Sequence, residues 1–133
     1  IHPLFPTPTT HMTKILIVDD SFTMREQVKL ALAPGNFKIV EAVDGKDGLT
    51  KVEADPEIGI LILDVNMPRM NGLELAEALN KGGYMSKGLK VVMLTTEGHA
   101  DLIARAKAAG AKGWIVKPFK PELLLSAVQK MAA

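Results

Sequence analysis

Residues 15–20 read ILIVDD, four branched apolar side chains in a row closed by two acids. A run of that length without alternation suits a strand buried on both faces, as in a parallel sheet. The form returns at Ile60-Leu61-Ile62-Leu63 before Asp64, at Val91-Val92-Met93-Leu94 before Thr95-Thr96, and at Trp114-Ile115-Val116 before Lys117. FKIVEA at 37–42 is also strand-like but carries Lys38 and Glu41, charges that suit an edge strand.

Helical stretches separate these runs. Met24, Val28, Ala31 and Leu32 repeat at helical spacing, with Pro34-Gly35 as the stop. Gly45 to Ala54 forms a weaker helix anchored by Leu49 and Val52, and Leu75, Ala76 and Leu79 mark a third that ends at Gly82-Gly83. Ala100 to Ala109 is alanine-rich and stops at Gly110. Pro121 opens a last helix with the stripe Leu124, Ala127, Val128 and Met131, for which Lys120 would be a poor cap. Strand then helix, five times over, specifies an α/β protein: a five-stranded parallel sheet with helices on both faces.

Composition narrows the class. A chain of 133 residues suits one domain. It has no cysteine, which removes disulfide scaffolds, cysteine nucleophiles and thiolate metal sites. Sixteen Lys+Arg against fifteen Asp+Glu gives +1, no electrostatic footprint for nucleic acid or an anionic membrane. No apolar run approaches the ~20 residues of a spanning helix. The expectation is a cytoplasmic protein. Residues 1–11, IHPLFPTPTTH, hold three of the eight prolines, two of the three histidines and no charge. They lack the features of a signal peptide and are read as a leader left by cloning, with 12–133 as the natural domain.

Parallel α/β sheets bind ligands beyond the carboxyl ends of their strands, where the strand order reverses. Those ends carry Asp19-Asp20, Asp64, Thr95-Thr96 and Lys117. Each alone is ordinary turn or capping chemistry; four together at four strand ends are not. Converging carboxylates repel, and a divalent cation relieves them. Oxygen ligands with water in the shell suit Mg²⁺, Lys117 suits a phosphoryl group, and Thr95 offers a hydroxyl. Metal, ammonium, hydroxyl and a carboxylate nucleophile describe a phosphoryl-transfer site. His99 stands alone beyond the leader, so neither a catalytic triad nor an imidazole metal site can be assembled.

ILIVDDSFTMR at 15–25, LILDVNMPRMNGLEL at 61–75, VVMLTTEG at 91–98 and KGWIVKPF at 112–119 resemble the receiver domain of bacterial response regulators, most of all its stand-alone chemotaxis members. The resemblance spans essentially all of 12–133. It implies a flavodoxin-like (β/α)5 fold with strand order 2-1-3-4-5. It implies Asp64 as phospho-acceptor, and Mg²⁺ held by Asp20, Asp64 and the backbone carbonyl of Asn66, with Asp19 acting mostly through water. Lys117 would hold the phosphoryl group, Thr95 would move to bond it, and the Lys117-Pro118 peptide would be cis. Asn66 and Glu97 match positions that modulate dephosphorylation.

Two residues depart from the pattern. Trp114 stands where chemotaxis members commonly carry a switch tyrosine. Indole is larger and must satisfy an N–H when buried, so an inward flip is harder. Val65 stands where some relatives have tryptophan.

The implied function is a monomeric phospho-accepting switch, not an enzyme on external substrates. Its partners would be a chemotaxis-type sensor histidine kinase, a flagellar motor switch protein and a phosphatase. The receiver is expected to act without an attached output module, so that the signal would leave through its own surface near Trp114, Lys107 and Leu125. The alternatives are a non-chemotactic regulator or phosphate sink, and a small Mg²⁺-dependent phosphohydrolase. Dehalogenase-like enzymes, however, space their two acids two apart on the first strand, whereas Asp19 and Asp20 are adjacent. A flavin-binding reading fails for want of a Ser/Thr/Gly-rich loop after Val18.

Overall fold

The computed structural model describes residues 12–67, 70–96 and 100–133. The proposed leader, together with Glu97 and His99, lies outside that set. The elements are β1 (Lys14–Val18), α1 (Phe22–Leu32), β2 (Lys38–Ala42), α2 (Gly45–Ala54) and β3 (Ile58–Asp64). They continue with α3 (Gly72–Lys81), β4 (Lys90–Thr95), α4 (Ala100–Ala108), β5 (Gly113–Val116) and α5 (Pro121–Ala132). All strand pairs are parallel, in the order β2-β1-β3-β4-β5. The chain steps outward from β1 to β2 and then returns to β3 on the other side. That reversal opens a crevice above the carboxyl ends of β1 and β3.

The apolar runs divide by parity. Leu16, Val18, Leu61, Leu63, Val91 and Met93 face one core with Val52, Leu75, Leu79 and Ala106. Ile15, Ile17, Ile60, Ile62, Val92 and Leu94 face the other with Val28, Leu32, Leu124 and Val128. A run without alternation therefore hides the strand period of two, because both faces are apolar. Each fully buried Leu or Ile contributes about 1.5–3 kcal/mol. The sheet is held from α2, α3 and α4 on one side and from α1 and α5 on the other.

Two readings need correction. The run 114–116 is not buried on both faces: β5 is the second edge of the sheet, with Ile115 buried, Trp114 half-buried and Val116 47% exposed. A strand with one neighbour has one flank for solvent whatever its own residues are. Pro34-Gly35 does not end the first helix abruptly. After Leu32 the chain makes one 3-10 turn, Ala33–Gly35, and leaves it through Asn36 in the left-handed region at φ 62°.

Capping follows the local sequence. Ser21 Oγ accepts from the Met24 amide at the start of α1, and Asn71 with Glu74 makes a reciprocal capping box on α3. Lys120 precedes α5 with no side-chain cap bond, as its chemistry predicts.

Candidate functional site

The crevice holds the three acids. One carboxylate oxygen each from Asp19, Asp20 and Asp64 lie within 4.8 Å of one another. Their environments differ: Asp19 is 2% exposed and Asp64 6% exposed, whereas Asp20 faces solvent. Asp19 and Asp20 leave β1 and Asp64 ends β3, which are adjacent and in register, with Val18 opposite Leu63. Proximity here is a property of the topology.

Lys117 reaches into the cluster from the far side of the sheet. Its Nζ lies 3.2 Å from Asp64 Oδ1 and 3.5 Å from Asp19 Oδ2, with its side chain largely enclosed. The backbone sets it there: the Lys117 amide donates to the Thr95 carbonyl at 2.7 Å, and the Lys117-Pro118 peptide is cis, as the resemblance implies. Thr95 is fully buried at the end of β4, beside Val116 of β5. Asn66 is exposed after β3, its amide 3.4 Å from Asp64 Oδ1.

Burial raises the Asp64 carboxyl above the usual range, and the Asp19 charge raises it further, with Lys117 opposing both. Asp19 is also raised, by burial first; the Ser21 amide and Lys117 work against this. One ammonium thus offsets two buried acids only in part, and a cluster of three carboxylates keeps a deficit of positive charge. The donor set is oxygen only, partly buried, with one exposed acid at the mouth. That set fits a hard, water-retaining divalent cation of the Mg²⁺ kind, which takes one or two carboxylates and keeps several waters.

Two groups of supporting residues escaped the sequence reading. Arg25 and Ser21 bond the backbone and side chain of Asp19, at 2.8 Å in each case. Gly72 and Gly45 press on the loop after β3: a Cβ on Gly72 would collide with the Asp64 carbonyl oxygen, and one on Gly45 with that of Met70. The N-G pair at 71–72 and the D-G pair at 44–45 hinted at turns, but not at what the missing side chains make room for.

Trp114, the position of the switch aromatic, is half-buried on β5. Trp114 packs against the core on the α4 side, and its Nε1–H is buried with no hydrogen-bond partner among the described residues. Burial without a partner costs about 1–3 kcal/mol. Of the remaining predicted positions, Glu97 lies outside the described residues.

The comparisons with known proteins agree with this geometry. The Response regulator receiver domain family matches residues 15–129. Chemotaxis protein CheY1 of Helicobacter pylori is 38% identical over 112 residues, covering 84% of this chain and 90% of that protein. Among solved structures, Vibrio cholerae CheY4 is similar with a TM-score of 0.81 and 38% identity, over 90% of this chain and 98% of that one. The CheX-CheY-BeF3-Mg²⁺ complex from Borrelia burgdorferi matches with a TM-score of 0.80 and 30% identity, over 90% of this chain and 89% of that one. Five parallel strands in this order, acids at the reversal point and a family match over nearly the whole described chain leave one assignment: the chain belongs to the response regulator receiver domain family and is of the CheY type.

Proposed function

We propose that this receiver accepts a phosphoryl group on Asp64 from the phosphohistidine of a chemotaxis-type sensor kinase, and passes the signal to a flagellar motor switch protein in the cytoplasm. The observation that carries the reading is Lys117 Nζ standing between the two buried acids, 3.2 Å from Asp64 and 3.5 Å from Asp19. An Asp64 oxygen attacks phosphorus as the P–N bond to imidazole breaks. Lys117 then offers its donors to the oxygens of the new acyl phosphate. Mg²⁺, when bound by the oxygens of the acids, would supply positive charge to offset that of the phosphoryl group. Asp20, Asp64 and the Asn66 carbonyl are the proposed direct ligands, with Asp19 acting mainly through water.

Thr95 would bond the phosphoryl group in the active state, and Trp114, on the neighbouring strand β5 opposite Met93, would report the change. No helix among the described residues is long and apolar enough to cross a membrane, which accords with a diffusible messenger. Asn66 and Glu97 are proposed to set the rate of hydrolysis of the acyl phosphate, with a phosphatase as a further partner.

The test uses the lone tryptophan. Mg²⁺ with beryllofluoride should change Trp114 emission in the wild type and leave Asp64→Asn unaffected. Phosphoryl uptake by Asp64→Asn at the wild-type rate and stoichiometry would sink the reading. A motor-switch peptide that bound equally with and without beryllofluoride would sink its signalling half.

A further inference from the structure

Arg25 sits in the first turn of α1 with its side chain only 12% exposed. Its guanidinium points two ways. Nε donates to Glu41 Oε1 at 2.9 Å on β2, and a terminal N–H donates to the backbone carbonyl of Asp19 at 2.8 Å. The planar fork of arginine can make both bonds together; an ammonium cannot reproduce that geometry. Glu41 is itself braced by Lys29, whose Nζ lies 3.1 Å from its other oxygen.

The carbonyl that Arg25 holds belongs to the peptide joining Asp19 to Asp20. Holding that oxygen restrains the planar peptide that carries Asp20 N and Cα, and the Ser21 amide bonded to Asp19 Oδ1 restrains the peptide after Asp20, so the Asp20 Cα–Cβ bond is left little freedom to turn. The rest of Asp19 is tied as well. Its amide donates to the Ala42 carbonyl at 3.1 Å, and Oδ1 accepts from the Ser21 amide at 2.8 Å. Asp20 is different, because its carboxylate faces solvent, so the backbone around it governs its aim. We propose that Arg25, oriented by Glu41, is a positioning residue that aims Asp20 at the metal. The inference rests on the Mg²⁺ reading above and adds the edge strand β2 to the metal site.

Charge and geometry make opposite predictions here. A cation close to a divalent metal repels it, so if Arg25 acted through charge alone, removing it would tighten Mg²⁺ binding. If Arg25 acts by holding the peptide, removing it loosens binding. Residues that orient metal ligands typically contribute about 10–100-fold in affinity.

The experiment titrates the full chain with Mg²⁺ alone, by calorimetry, in the wild type, Asp20→Asn, Arg25→Gln and Arg25→Lys. Backbone amide spectra are recorded before metal is added. Asp20→Asn should lose most of the binding. Arg25→Gln should weaken it by about 10-fold or more, with shifted Asp20 and Ser21 amides in the metal-free protein. Arg25→Lys, with the charge kept and the fork lost, should fall between. Wild-type or tighter Mg²⁺ binding in Arg25→Gln would overturn the proposal. Should that variant not fold, wild-type affinity and amide positions in Arg25→Lys would overturn it equally. A wild-type chain without saturable Mg²⁺ binding would instead remove the metal reading itself, and this inference with it.

Discussion

Two buried carboxylates with one ammonium between them make the crevice a place where function opposes stability. Both Asp64 and Asp19 are raised above the usual aspartate range, by burial first. The folded chain therefore holds these protons more tightly than the unfolded chain does. As pH rises through the unfolded value of about 3.9, the unfolded state sheds protons first and the fold loses stability. The loss is complete only above the raised folded values. In metal-free buffer at pH 7, Asp64→Asn should thus be more stable than the wild type by about 1 kcal/mol, a typical gain when an active site is relieved of strain. Urea unfolding with a chelator present checks it. The advantage should shrink as pH is lowered and vanish below about 3.9, where the wild-type acid is neutral in both states. A variant less stable than wild type at pH 7 would mean that the Lys117 contact outweighs the burial of charge.

At the level of elements, the acceptor is placed by packing as much as by pairing. The first residue of α3, Gly72, lies against the Asp64 carbonyl, and its amide donates to the Val65 carbonyl at 3.1 Å. Gly72→Ala must push α3 away from the end of β3. Overpacking of this kind costs about 1–3 kcal/mol, and here the displaced atoms carry the nucleophile. The variant should lose that much in urea unfolding and also slow phosphoryl uptake. Lost stability with unchanged uptake would show that the helix moves while Asp64 stays. The elements themselves were legible, because five apolar runs and their intervening stripes are local signals. So was the conjunction of acids, Thr and Lys, since parallel topology brings strand ends together. The edge character of β5 was not legible, because exposure depends on how many neighbours a strand has. Nor was the Arg25–Glu41 bond, which joins residues 16 apart on a helix and a strand. Glu41 read only as an edge charge, and its task becomes visible once β1 and β2 are in register, with Ile17 opposite Glu41.

For the whole molecule, the sheet is the common wall of both cores, and the acids sit at the ends of two of its three interior strands, β1 and β3. A ligand that bridges the ends of β1 and β3 therefore ties together the elements that neither core can lose. Binding to the folded state alone should stabilise the entire domain, by about 2.7 kcal/mol when free Mg²⁺ is one hundred times its dissociation constant. Trp114 on β5 reports the core on the α4 side, and far-ultraviolet dichroism reports the helices on both sides. Because the two cores share every central strand, the two probes should give one coincident urea transition. Its midpoint should move upward with the logarithm of Mg²⁺ concentration, together in both signals, and stay put in Asp20→Asn. A midpoint that moved for tryptophan fluorescence alone would place the metal's effect on β5 and its neighbours instead of on the sheet.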